Sequence, residues 1–170
     1  LTVQFAAFVA NFLQGEFGVS FFYGADHNIG VIIGERLINT IFLMIPADII
    51  AILLGIWIGK VSAWNRGKAR DVLGLLVSLV TYAIPGFWLG MISLLILGFN
   101  LQIVPTDPYN LVRSFSQSEG NILGFLFGAV THLFLPILVL TTVIFGVFAT
   151  IMRNSLLEVL SEDYMITAKA

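Results

Sequence analysis

The chain has 170 residues, of which 58% are apolar and only 11% are charged, with a formal net charge of −2 and no cysteine. An average soluble domain is about 45–50% apolar and about 25% charged, so this chain has too few charges to cover its apolar side chains. The composition excludes an ordinary soluble domain and indicates a membrane protein, and the lack of cysteine excludes disulfide bonds and thiolate metal sites.

The first 36 residues are rich in aromatic side chains and interrupted by several glycines. Residues 1–13 have the apolar spacing of a helix but are too short to cross a bilayer, since a spanning helix needs about 20 apolar residues. For residues 1–36 we expect an interfacial helix and a loop on the outer face of the membrane, with aromatic side chains among the lipid headgroups.

Three apolar stretches are long enough to span the membrane: residues 37–59, 72–99 and 130–152. Each contains one proline: Pro46, Pro85 and Pro136. A proline removes a backbone hydrogen bond and kinks or loosens its helix, an irregularity that transporters use more than simple anchors do. Residues 122–152 are too long for one upright span, so we expect an interfacial helix to end near Ala129, before the third span.

The basic residues predict how the spans are oriented. Four lie in the 60–71 linker and two in residues 153–170, whereas residues 1–36 and 100–129 contain one each. Because basic residues are enriched on the cytoplasmic side, we expect the linker and the C-terminal residues in the cytoplasm and the other two segments outside. The sequence thus predicts an all-α membrane protein with three transmembrane helices.

Residues 153–170 have a helical composition but are decidedly polar. Ser161 offers a hydroxyl cap, and Glu162 and Asp163 follow it, where carboxylates stabilise the positive end of a helix. We expect the third membrane helix to run into water, to break near Ser161 and to be followed by a short second helix. Such a helix is suited to docking a protein outside the membrane.

Asp48, near the middle of the first span, is a candidate for contact with a transported solute. An ionisable side chain there costs about 2.5–3.5 kcal/mol to insert, so it should face protein or a water-filled path. Two interpretations stay open. Asp48 lines the translocation path, or its carboxyl group is hydrogen-bonded to a neighbouring helix.

Aromatic side chains cluster around Pro85: Tyr82, Phe87 and Trp88. They form either an aromatic wall beside the path or ordinary packing between helices. His132 lies at the outer end of the third span, where a helix start, the membrane interface or a polar contact explains it, because metal sites usually need three or four ligands.

No catalytic motif is present. The chain has no nucleotide-binding lysine loop, metalloprotease motif or serine-nucleophile motif, and its eight basic residues form no extended patch. We therefore expect no catalytic residue, no metal site, no cofactor and no nucleic-acid partner.

Six short motifs follow one another in a fixed order: residues 15–20 (GEFGVS), 35–40 (ERLINT), 82–90 (YAIPGFWLG), 104–105 (VP), 132–136 (HLFLP) and 153–170 (RNSLLEVLSEDYMITAKA). Each is weak alone, but together the chain resembles the permease subunits of binding-protein-dependent ABC importers, in the dipeptide, oligopeptide and nickel branch. Two positions depart from the family pattern. Ile166 stands where the general coupling loop has an acidic residue, and Asp48 stands where relatives are usually apolar.

The resemblance implies an internal piece of a roughly six-span subunit in a prokaryotic inner or plasma membrane. A binding protein outside would deliver the solute, which is a peptide, a nickel complex or an oligosaccharide. A second homologous permease would complete the path through the lipid bilayer. Two separate ATPase subunits would hydrolyse ATP and each grip one coupling helix, so this chain would be a transporter subunit and not an enzyme.

The resemblance places the coupling helix in residues 161–170. The expected ATPase-coupling residues are Glu162, Asp163, Tyr164, Thr167 and Ala168. The alternative is an interfacial helix on lipid headgroups, which two acidic residues suit poorly on an anionic leaflet.

Two other functional classes stay open. A secondary transporter or channel subunit would use Asp48 as its ion or proton site, and its transport would survive loss of ATP. A purely structural membrane subunit would transport nothing.

Overall fold

The computed structural model describes residues 1–20, 22, 28–107 and 109–162. Its helices are α1 (Thr2–Leu13), α2 (Ile29–Trp64), α3 (Ala69–Ala83), α4 (Gly86–Ser93) with a π-helical continuation (Leu94–Asn100), α5 (Leu111–Ser116) and α6 (Ile122–Leu160). Within these ranges the only extended pairing is an isolated bridge between Val19 and Asn28. The all-α class predicted from the sequence is confirmed.

Two of the described helices, α2 and α6, are long and apolar enough to cross a membrane. A third candidate consists of α3 together with α4 and its π-helical continuation, which are bent by 90° relative to each other. The described residues therefore hold two spans, or three if the bent pair counts as one.

The helix α6 is continuous, so the expected division near Ala129 is wrong. Asn121 caps its start by accepting a hydrogen bond from the N–H of Gly124 at 2.9 Å, and Pro136 lies inside the helix without ending it. At 39 residues, α6 is about 58 Å long, roughly twice the thickness of a bilayer core. The bilayer thickness sets the length of the apolar stretch but not that of the helix. The helix continues into water until its hydrogen bonding is interrupted.

The helix α2 extends beyond both ends of the expected 37–59 span. Asn28 caps it by accepting a hydrogen bond from the N–H of Gly30 at 2.7 Å. With that cap in place, the glycines that suggested a loop weaken the first turns without ending the helix, since a glycine costs only about 1 kcal/mol relative to alanine.

The expected 72–99 span is broken into two helices. Ile84 is extended, with φ −75° and ψ 124°, and α4 begins directly after Pro85. A proline disfavours helical backbone at the residue before it, which explains the break. Pro46 lies inside an uninterrupted helix, as Pro136 does, so one of the three prolines divides its span.

The core is the contact between α2 and α6, and α2 builds it from small residues. Five of these recur every fourth residue and are buried: Ala47, Ala51, Gly55, Gly59 and Ala63. A methyl group on Gly59 would lie 2.5 Å from the Ala149 carbonyl oxygen, so the two backbones approach more closely than a side chain allows. Membrane helices associate in this way because no hydrophobic effect drives them together in lipid.

Candidate functional site

The polar end of α6 is the described part of the expected coupling region. The Ser161 hydroxyl donates a hydrogen bond to the Glu158 carbonyl oxygen at 2.7 Å, and Ser161 caps the C-terminal end of α6. Glu162 follows in an exposed turn. The other four expected coupling residues lie outside the described residues: Asp163, Tyr164, Thr167 and Ala168. The short second helix expected after Ser161 therefore stays a prediction.

Arg153, about two turns before the end of α6, is paired with Asp71 in the first turn of α3. The Arg153 Nε donates to Asp71 Oδ1 at 2.6 Å, and Nη2 donates to Oδ2 at 3.0 Å. The backbone N–H of Gly67 donates to the same Oδ2 at 3.0 Å. The side chains of Arg153 and Asp71 are only 16% and 6% exposed. We call this group the Asp71–Arg153 clamp.

The turn between α2 and α3 places Asp71 for this contact. The Asn65 side chain donates to the Val61 carbonyl oxygen at 2.8 Å and closes the end of α2. Gly67 has φ 77°, a left-handed conformation that glycine adopts without strain. The chain then re-enters a helix, and the Asp71 carboxylate lies at the positive end of α3, where the helix dipole stabilises it.

The clamp joins α6 to α3 and to the turn that leads from α2 into α3, at one end of the bundle. A bidentate arginine–carboxylate pair fixes orientation as well as distance, because two parallel hydrogen bonds must both be satisfied. The end of α6 cannot rotate or shift far without moving the α2–α3 turn or breaking the pair. This arrangement is suited to transmitting a displacement from residues after α6 into the other helices.

The four residues expected along the translocation path do not meet in one place. Phe87 and Trp88 border an open groove of about 470 Å³ at the break between α3 and α4. Tyr82 borders a separate groove of about 240 Å³ between α3 and α6. Asp48 is half-buried on α2, borders neither groove, and forms no hydrogen bond or ion pair with any described residue.

His132 lies inside α6 and makes the polar contact that was one of its three expected explanations. Its Nε2 is 3.1 Å from Asp107 Oδ2 in the loop before α5. The described residues contain no group of three or more histidine, cysteine or acidic side chains placed to hold a metal ion.

The clamp was not predicted from the sequence, although a signal for it was present. Asp71 is the one acidic residue in a linker with four basic residues, and Arg153 follows a long apolar stretch. Each of these charged side chains is expected to pair with a residue in another segment, but a single sequence does not identify that residue. The repeat of small residues along α2 is also visible in the sequence, but the helix contact that it forms was not predicted.

Comparison with known proteins supplies the family. Residues 51–170 match the family described as "Binding-protein-dependent transport system inner membrane component". The chain is 33% identical over 168 residues to the oligopeptide transport system permease protein AppB of Bacillus subtilis, covering 99% of this chain and 50% of that protein.

Two further relatives carry names of the same kind. The chain is 34% identical over 185 residues to the probable D,D-dipeptide transport system permease protein DdpB of Escherichia coli, covering 100% of this chain and 53% of that protein. It is 31% identical over 179 residues to the di/tripeptide transport system permease protein DppB of Pseudomonas aeruginosa, covering 98% and 52%. The chain spans about half the length of these relatives.

Proposed function

The chain belongs to the family of binding-protein-dependent transport system inner membrane components, and on that premise we propose that it is part of a permease subunit of an ATP-driven importer. In this proposal it contributes half of a translocation path for short peptides. The names of its relatives support peptides as the substrate class, since they specify oligopeptides, D,D-dipeptides and di- or tripeptides.

The Asp71–Arg153 clamp is the observation that carries the coupling part of the proposal. The residues that would dock an ATPase follow α6 directly, and the clamp ties the end of α6 to the α2–α3 turn. When two ATPase subunits close on ATP, residues 161–170 would be pushed as a helix held in a groove. The clamp would make the α2–α3 turn follow the end of α6, giving a rigid-body change of the bundle.

The proposed partners lie on both sides of the membrane. The charge distribution supports the clamp end facing the cytoplasm, where the ATPases hydrolyse ATP. The opposite end would then face outward, toward a substrate-binding protein. A second homologous permease would complete the path, and we propose that Asp48, Tyr82, Phe87 and Trp88 contact the solute or that second subunit.

The secondary-transport alternative has no support in the relatives, whose names are those of permease proteins of transport systems and ABC transporters. Asp48 also lacks a described polar partner of the kind that proton relays use.

Uptake of a labelled dipeptide into proteoliposomes tests the proposed function. The whole system is reconstituted, and uptake is measured with ATP inside and then with a proton gradient and no ATP. We expect uptake only with ATP. Uptake on the gradient alone would contradict the proposal, and wild-type uptake by an Asp48→Leu variant that inserts normally would remove Asp48 from the path.

A further inference from the structure

The end of the bundle opposite the clamp contains a cavity of about 460 Å³. It is bordered by α2, by α4 and its continuation, by α6, and by the loop before α5. Most of its lining is apolar, including Leu43, Val139 and Leu140, whereas Thr106, Asp107, Tyr109 and His132 contribute polar groups. Its volume falls within the range of about 300–1,000 Å³ for small-molecule sites, and an apolar lining with few polar groups is typical of such sites.

His132 is held beside Asp107 by contacts at both ring nitrogens. Its Nδ1 lies 2.8 Å from the Gly128 carbonyl oxygen and 3.4 Å from the Thr131 hydroxyl oxygen, and its Nε2 lies 3.1 Å from Asp107 Oδ2. The Tyr109 ring stacks on the imidazole ring, with ring centroids 4.4 Å apart and an interplanar angle of 19°.

Asp107 is the one acidic residue among the described residues that border the cavity. Its side chain is 71% exposed, whereas that of His132 is 18% exposed. A cation entering the cavity can therefore reach the carboxylate without displacing protein around it, because Oδ2 meets His132 and Oδ1 forms no hydrogen bond with any described residue.

We propose that this cavity binds the ammonium end of a short peptide, with the ammonium group on Asp107 and the first apolar side chain against Leu43, Val139 and Leu140. An ammonium group carries three donors and one positive charge, which match a carboxylate acceptor that is exposed to the cavity. The choice of a peptide as the occupant rests on the proposed function.

Binding of Leu-Leu to the whole transporter complex, in nanodiscs and without the binding protein, tests the inference. Asp107→Asn should raise the Kd about tenfold. The matched control is Glu119→Gln, which also changes an exposed carboxylate to an amide but lies outside the cavity. In the wild type, N-acetyl-Leu-Leu should compete about tenfold more weakly than Leu-Leu, because acetylation removes the positive charge that Asp107 would bind.

The comparison of free and acetylated peptide needs no variant, so it decides the matter even if Asp107→Asn folds poorly. No binding of Leu-Leu to the wild type, equal competition by the acetylated peptide, or a wild-type Kd in a well-folded Asp107→Asn variant would each overturn the inference. ATP-driven uptake by the same preparation, measured with the binding protein added, reports separately on the proposed function.

Discussion

Asp71 lies in the first turn of α3 and Arg153 lies near the end of α6. Each of these charged side chains fixes the position of the other. A bare carboxylate or guanidinium group close to lipid would carry a large desolvation cost. The paired groups, with Gly67 as a third donor, are satisfied by protein. The electrostatic requirement of each residue thus produces a mechanical connection between α3 and α6.

We predict that Asp71→Asn destabilises the permease by about 2 kcal/mol, between the values for exposed and for fully buried ion pairs. It should also lower the amount of peptide transported per ATP hydrolysed, because the end of α6 then moves without the α2–α3 turn. Arg153→Lys should lose less stability and less coupling than Asp71→Asn, since lysine keeps the positive charge but not the bidentate contact.

Thermal unfolding of the whole complex and the ratio of uptake to ATP hydrolysis measure these two effects. Glu158→Gln is the matched control, because Glu158 is an exposed carboxylate at the same end of α6 and forms no ion pair with any described residue. Equal stability and equal coupling in Asp71→Asn and in this control would rule out the clamp as a coupling element.

Single residues could be identified from the sequence, but their partners could not. Asp48 and His132 were recognisable because a charged or titratable side chain in an apolar helix is costly. Pairing depends on which helices lie side by side, and His132 meets Asp107 from a loop 25 residues away. The same limit explains why Arg153 was counted for orientation while its pairing with Asp71 was not recognised.

The contact between α2 and α6 depends on small residues at a period of four. At Gly55, a methyl group would lie 3.0 Å from both the Phe145 carbonyl oxygen and the Ala149 nitrogen, which belong to a backbone that cannot move aside easily. A larger residue at this position must therefore push the two helices apart.

We predict that Gly55→Ala destabilises the helix pair by about 1–3 kcal/mol, the usual cost of overpacking a filled core. Gly34→Ala is the control on the same helix, since a methyl group there meets nothing within 4 Å and alanine favours the helix. The melting temperature of each purified full-length permease is the measurement. Equal melting temperatures would show that α2 and α6 do not pack through Gly55.

Helix boundaries were only partly predictable because three prolines act in different ways. Pro85 divides its span, with extended backbone at Ile84, whereas Pro46 and Pro136 are accommodated within continuous helices. Around a proline, neighbouring helices can replace the missing hydrogen bond, and a single sequence does not reveal those neighbours. The apolar stretches themselves were found because bilayer thickness sets their minimum length.

At the scale of the whole molecule, the two ends of the bundle have different chemistry. One end carries the clamp and leads to the polar residues after α6, and the other carries the cavity with Asp107 and His132. The fold class was predictable from composition, and the family from ordered motifs. The cavity was not predictable, because it forms where residues from four segments meet.

The proposed coupling region is most directly tested by Ala168→Asp in the reconstituted complex. An aspartate at this position would place an unpaired charge in the proposed interface with the ATPase groove, and such a charge is costly. Ser155→Asp is the control, because it adds the same charge at an exposed position on α6, before the docking residues.

The measurement is the ATPase rate with and without substrate-loaded binding protein, at equal membrane insertion of each variant. We predict that stimulation by the binding protein is retained in Ser155→Asp and falls to the basal rate in Ala168→Asp. Full stimulation of the Ala168→Asp complex would contradict the account that residues 161–170 receive the push of the ATPases.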